Sequence, residues 1–203
     1  MYGLPISTER KRQLPKKAIY AKFDLNSAQR ESFDADVARI DIVAVISPAT
    51  IPALSEGVEV KEFYVLDVQM KRREYDAKNI LLLTRLIAQN MVFALRYEEQ
   101  VQFAIFHSKL FTTAWQPVGQ ATLSLSGLNL DAVWENIIKQ IGQIEVEGGR
   151  LLTEQIQIDE KKVKLGIQIK MLERKLALEK QPRKKREYFE AIKKMKTIYE
   201  RIH

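Results

Sequence analysis

The chain has no cysteine, and its 203 residues include two histidines, His107 and His203. Without cysteine there is no disulfide framework, no thiol nucleophile and no thiolate metal site, which fits a reducing cytoplasm. One histidine closes a predicted strand and the other is the final residue. That supply is too poor for a histidine-based zinc site or a Ser/His/Asp triad. Glycine is also scarce, at eight residues. Neither Gly127 nor the Gly148-Gly149 pair forms a phosphate loop ending in Lys-Ser/Thr, which argues against nucleotide hydrolysis. No apolar run is long enough to span a bilayer. Met1 to Tyr20 lacks the continuous apolar stretch of a secretory signal. The expectation is a cytoplasmic protein with no membrane association, no resident metal and no cofactor.

Charge is present in quantity but unevenly placed. Residues 151–203 hold 15 Lys/Arg against 8 Asp/Glu, and residues 1–22 hold 6 against 1. The stretch between them carries 12 against 17, so an acidic core lies between two basic ends. Cationic appendages attract polyanions through counterion release, which makes DNA a candidate partner. Solvation alone accounts for such runs equally well.

The organising stretch is Val58 to His107, read as strand, helix, strand, tight turn, strand. Glu62 to Met70 is rich in β-branched and aromatic residues and suits a buried strand. Asp76 caps a helix over Ala77 to Ala88, whose Ile80, Leu81, Leu82, Leu83, Leu86 and Ile87 cover most of its circumference. Met91 to Tyr97 and Val101 to His107 flank a three-residue loop, Glu98-Glu99-Gln100, as a hairpin. Ahead of this block, Met1 to Lys22 reads as an extended basic arm anchored by Leu4, Ile6, Leu14 and Ile19. A helix capped at Asn26 or Ser27 runs to about Arg39, and a strand covers Ile40 to Ile46. After the block, Leu110 to Trp115 and Ala121 to Leu125 are short strand candidates. Leu130, Trp134, Ile137, Ile141 and Ile144 form one helical stripe that ends at Gly148-Gly149. Leu151, Ile158, Leu165 and Leu172 then repeat every seven residues. Beyond Gln181-Pro182, Tyr188, Ile192, Met195, Tyr199 and Ile202 form a second stripe, so the end of the chain reads as a helical hairpin or coiled coil.

The fold class is therefore α+β: a mostly antiparallel sheet flanked by helices over about 1–147, with a basic helical hairpin over about 150–203. Two constellations carry possible chemistry. Asp41 lies in one strand and Asp67-Val68-Gln69 ends another just before a helix. Metal-dependent nucleases hold Mg²⁺ between acids on adjacent strands, with a lysine nearby. The order of elements loosely resembles the restriction-endonuclease-like superfamily, but Gln69 stands at the lysine position and Lys71 lies two residues on. The bland alternative is a pair of hydrogen-bonded strand acids. The second constellation is cationic: Arg183-Lys184-Lys185-Arg186 beside the hairpin turn, with Lys16-Lys17 in the arm. These side chains can touch phosphates without reading bases, or simply be solvated.

Several ordered motifs carry a resemblance. They are Gly3-Leu4-Pro5-x-Ser7-Thr8, Leu14-Pro15-Lys16-Lys17, Ile46-Ser47-Pro48-x-Thr50-Ile51, Phe93-x-Leu95-x-Tyr97, Leu128-x-Leu130 through Asn136, and the basic two-helix tail. Together they resemble an uncharacterised bacterial and archaeal domain of unknown function, over nearly the whole chain. The resemblance implies an intracellular protein whose relatives are often encoded beside helicase and DNA-methyltransferase genes of restriction-like antiviral systems. It supplies no catalytic residues. The resulting expectation is a non-catalytic accessory protein of a DNA-processing defence complex, docking a helicase or methyltransferase and contacting DNA. The alternatives are a metal-dependent nuclease using Asp41 and Asp67, and a self-assembling protein that forms a homo-oligomer through its hairpin.

Overall fold

The computed structural model describes residues 1–86 and 88–202, so Ile87 and His203 of the readings above lie outside the described residues. The chain divides into two compact units, Met1–Ile144 and Glu145–His203.

The first unit is α+β. Its strands are β1 (Glu9–Gln13), β2 (Val37–Ile46), β3 (Phe63–Met70), β4 (Asn90–Tyr97), β5 (Gln100–His107), β6 (Lys109–Thr112) and the two-residue β7 (Gln116–Pro117). They form one sheet in the order β1-β2-β3-β4-β5-β6, with β7 pairing β5. Every pairing is antiparallel except β3 with β4, which are parallel and joined through α3 (Ala77–Leu83). Helices α1 (Lys16–Phe23), α2 (Ser27–Asp36) and α4 (Leu130–Gly142) complete the unit.

Local chemistry explains the starts of the helices. The Asn26 side chain accepts from the Gln29 backbone N–H while the Gln29 side chain accepts from the Asn26 N–H, a reciprocal capping box for α2. Asp76 accepts from Lys78 N–H at α3, and Asn129 from Ala132 N–H at α4. Strand alternation then sorts the sheet into two faces. Ile40, Ile42, Leu66, Val68 and Leu95 pack in one core cluster with Ile19 of α1, Phe33 of α2, and Ile80 and Leu83 of α3. On the other face the Phe63 ring meets Trp134 of α4 at 5.2 Å between centroids, and Tyr2 meets Phe103 at 5.4 Å.

Six readings are corrected. The basic arm contains strand β1 and helix α1, with Ile19 fully buried but Ile6 85% exposed. Helix α2 stops at Asp36 and β2 begins at Val37, three residues earlier than expected. Helix α3 ends at Leu83 rather than Ala88, because the chain must reach Asn90, already paired with Phe63. The hairpin turn holds two residues, since Tyr97 pairs with Gln100, and Glu98 takes the left-handed conformation (φ +51°) often given to glycine. Helix α4 closes at Gly142 rather than at Gly148-Gly149. Gln143 is left-handed there and Ile144 N–H returns to the Lys139 carbonyl.

Ala121 to Leu125 is not a strand either. Ala121 and Leu123 are buried in the alternation that suggested one. The main chain finds other partners: Gln140 accepts from Ser124 N–H and donates to the Thr122 carbonyl, and Leu123 N–H donates to the Tyr2 carbonyl. A side-chain amide thus stands in for a neighbouring strand.

The second unit holds α5 (Leu152–Leu178) and α6 (Pro182–Arg201), a helical hairpin. Leu152, Gln155, Ile156 and Ile169 of α5 and Ile192 of α6 are buried, and Lys196 bridges to Glu173 at 2.8 Å across the two helices. The Glu179 carboxylate accepts from Lys180 and Gln181 N–H in the turn, and Pro182 starts α6 with its ring preset for the first helical position.

Candidate functional site

The face of the sheet opposite the α1–α3 core changes character at one end. Alternate residues of four adjacent strands meet there: Lys11 and Gln13 of β1, Arg39, Asp41 and Val43 of β2, Asp67 and Gln69 of β3, and Arg96 of β4. With Glu9 and Arg10 they line an open cleft of about 650 Å³. Register explains the assembly. Asp41 pairs directly with Asp67 across β2 and β3, Arg39 pairs with Gln69, and Gln69 pairs with Arg96 across the parallel β3–β4 step. Directly opposed residues on a sheet bring their side chains within reach of one another. The two acids singled out in the sequence are therefore neighbours on one face.

Asp67 is only 2% exposed, so its charge needs partners. The Tyr2 hydroxyl donates to Oδ2 at 2.7 Å, and Arg96 Nε reaches Oδ1 at 3.3 Å. Burial, then the adjacent Asp67 charge, pushes the Tyr2 phenol far above its ordinary range, so it remains a donor. Asp41 is clasped by Arg39, with Nε 2.7 Å from Oδ2 and a terminal nitrogen 2.9 Å from Oδ1. The Asp41 hydrogen bond and charge, helped by the Asp67 charge, raise the Arg39 pKa further. Among the described residues no buried side-chain polar atom lacks a partner, and no group of three or more His, Asp or Glu is gathered to hold a metal ion. Gln69 adds a neutral amide where a water-steadying lysine would stand. Tyr2, Arg39 and Arg96 carry no linear signal; only strand register and the fold of the first residues bring them to Asp41 and Asp67.

The predicted cationic residues separate into two groups. Lys16 is engaged inside the first unit: its ammonium bonds Asp34 at 2.6 Å and the Val37 carbonyl, and lies over the Phe33 ring. Burial pushes the Asp34 carboxyl up, but the hydrogen bonds from Lys16 and Tyr20 outweigh it and hold the pKa below the usual value. Lys17 is exposed. In the second unit Arg183, Lys184, Lys185 and Arg186 are all exposed and crowd the first turn of α6, which contains no acidic residue. Positive charge at a helix N-terminus opposes the macrodipole. Arg183 and Arg186 make i,i+4 pairs with Glu187 and Glu190 at 3.4 and 3.1 Å, exposed contacts of small energetic weight.

The sequence profile of a domain of unknown function, DUF4391, matches residues 2–198. The chain belongs to the DUF4391 family. No curated protein and no solved structure matches it. Among the described residues of this DUF4391 chain no helix is long and apolar enough to cross a membrane.

Proposed function

We propose that this DUF4391 chain is a non-catalytic accessory protein of a DNA-processing, restriction-like defence complex. It docks a helicase or DNA methyltransferase and meets the DNA backbone with its cationic surfaces. The observation that carries the non-catalytic half is the state of the cleft acids. Asp41 and Asp67 are each already bonded to the chain's own donors, and position 69 is Gln. Carboxylates held this way are structural unless their arginines let go. The DNA half rests on the first turn of α6, where four clustered cations oppose the helix dipole and a bound polyanion would relieve them.

The cross-strand pairing of Asp41 with Asp67 favours a second reading, a metal-dependent nuclease of loosely restriction-endonuclease-like type. In that case the two carboxylates hold a divalent cation once Arg39 and Arg96 have released them, and one of the arginines takes the charge-neutralising part of the missing lysine.

One experiment separates the two. Duplex DNA is titrated with the full chain at several salt concentrations, then incubated with Mg²⁺ or Mn²⁺. The accessory reading expects salt-dependent binding without strand cleavage. It also expects reversal of Arg183, Lys184, Lys185 and Arg186 to glutamate to flatten the log–log salt slope by up to about 3–4 units. Unchanged binding and slope would remove DNA contact at α6. Metal-dependent cleavage that disappears in Asp67→Asn would replace the first reading with the second.

A further inference from the structure

Phe189 of α6 is 60% exposed, although phenylalanine is among the residues that proteins bury most often. At 100° per residue it lies about 100° from the centre of the stripe formed by Tyr188, Ile192 and Met195, so it does not turn into the hairpin. Lys185, Arg186, Lys193 and Lys196 lie within about 60° of it around the helix, and all four are exposed. The acid on the same arc is Glu200, about 16 Å farther along the axis. Lys185 and Lys193 stand four residues to either side, so a cation is placed about 6 Å along the axis in each direction from the ring.

Arg186 and Lys196 reach out of this arc to Glu190 and Glu173, at 3.1 and 2.8 Å. Lys185 feels the Glu179 charge in the hairpin turn. Exposed contacts of this kind carry little energy, and a polyanion replaces them at small cost. The helix as a whole holds eight Lys/Arg against three Glu, so its charge favours such a partner. An apolar protein groove would have to bury four cations along with the ring. A duplex has its base faces already stacked on one another. An unstacked strand offers the ring a π-face and the flanking cations phosphates, the pairing of aromatic and basic groups that single-strand binders use. We infer that this face of α6 binds single-stranded DNA, with a base stacked on Phe189 and the adjoining phosphates on Lys185, Arg186 and Lys193. This contact rests on the proposed DNA binding at α6, which by itself involves phosphates alone.

Fluorescence anisotropy of the full chain tests it with three probes: labelled oligothymidylate, the same strand carrying abasic sites, and a duplex of equal length. Phe189→Ala is expected to weaken oligothymidylate binding about tenfold. The salt slope, the duplex affinity and the melting curve should stay as in the parent chain, because an exposed ring is lost and no charge. Phe189→Leu keeps an apolar side chain without a ring and should behave as Phe189→Ala, whereas Phe189→Trp should bind at least as tightly as the parent. The abasic strand should bind the parent about tenfold more weakly than oligothymidylate and Phe189→Ala no more weakly than the parent. Equal affinity of the parent for the abasic strand and oligothymidylate, or full binding by Phe189→Ala, overturns the base contact. In that event, a salt slope still flattened by charge reversal at Arg183, Lys184, Lys185 and Arg186 leaves DNA binding at α6 standing without it. A loss in Phe189→Ala that is absent in Phe189→Leu marks an apolar contact rather than stacking and also overturns it. Binding of no strand at all removes both.

Discussion

Asp36 is a residue whose removal should cost the first unit heavily, and its cost can be worked from its partners. It ends α2, is fully buried, and carries a carboxylate with no exposure. Oδ2 accepts from the Asp76 backbone N–H at 2.8 Å and from the Asn79 side-chain amide at 2.6 Å, while Oδ1 takes the Arg72 guanidinium. The Asp36 carbonyl also accepts from Lys71 N–H at 2.7 Å. One side chain thus joins the end of α2 to the β3–α3 connection and to the first turn of α3. In Asp36→Ala two donors from the protein interior lose a charged acceptor. At about 1.5–3 kcal/mol for each such bond, the loss is about 4 kcal/mol. The Arg72 side chain is 53% exposed and rehydrates on losing its partner, so it adds little. For a protein of this size the melting temperature should fall by about 12 °C. Arg72→Ala, by contrast, should cost less, because Asp36 keeps its two interior donors. Urea unfolding monitored by near-ultraviolet circular dichroism measures both. An Asp36→Ala loss below about 1 kcal/mol, or equal losses in the two variants, would refute the assignment of the hub to the buried donors.

Two further predictions concern the loop joining β2 to β3. A Cβ on Gly57 would lie 2.2 Å from Asp131 Oδ1 and 2.7 Å from the Asp131 backbone nitrogen, so Gly57→Ala should destabilise by about 1–3 kcal/mol and speed proteolysis near residue 57. The Asp131 carboxylate accepts from Val58, Glu59 and Val60 N–H, and these bonds, the one from Val60 foremost, hold its pKa below the usual value. The ionised form is therefore preferred in the folded state. Its contribution is complete above the unfolded value of about 3.9 and is lost as pH falls through the depressed folded value. Asp131→Asn should be less stable than the parent chain at pH 7, with the gap narrowing at pH 2.5. A gap that does not change with pH would show that the carboxylate's charge is not what holds the loop.

Much of this fold was legible because its buried strands announce themselves. Phe63 to Met70, Met91 to Tyr97 and Val101 to His107 are apolar enough that only a covered sheet suits them. Strand β1 was not legible, because Glu9-Arg10-Lys11-Arg12-Gln13 has no apolar residue and every position is exposed. It is a strand by virtue of pairing with β2, a long-range event that leaves no period in the local sequence. Ala121 to Leu125 failed in the opposite sense. Its alternation is real, but the Gln140 amide occupies the positions a neighbouring strand would need. Asp36 escaped notice because a single acid at the end of a polar helix looks like any solvated residue.

The cleft shows the same division between composition and register. Asp41 and Asp67 stood out as acids inside apolar strands, and that alone is an anomaly worth following, since a charge on a buried strand costs free energy unless something nearby compensates it. What compensates Asp67 here comes from far along the chain. Tyr2 approaches from the N-terminal segment and Arg96 from the parallel neighbour of β3. Arg39 comes from two positions along Asp41's own strand, the spacing that puts both on one face. Tyr2 and Arg96 thus hold the Asp67 carboxylate in the middle of the sheet, and Arg39 holds Asp41 beside it. Structural economy would place an apolar residue at position 67, as at Val65 two residues earlier on the same face. The sheet instead sets a buried carboxylate, a phenol and two guanidinium groups at the open end of a cleft, where the hydrogen bonds and ion pairs among them offset the cost of burying polar groups.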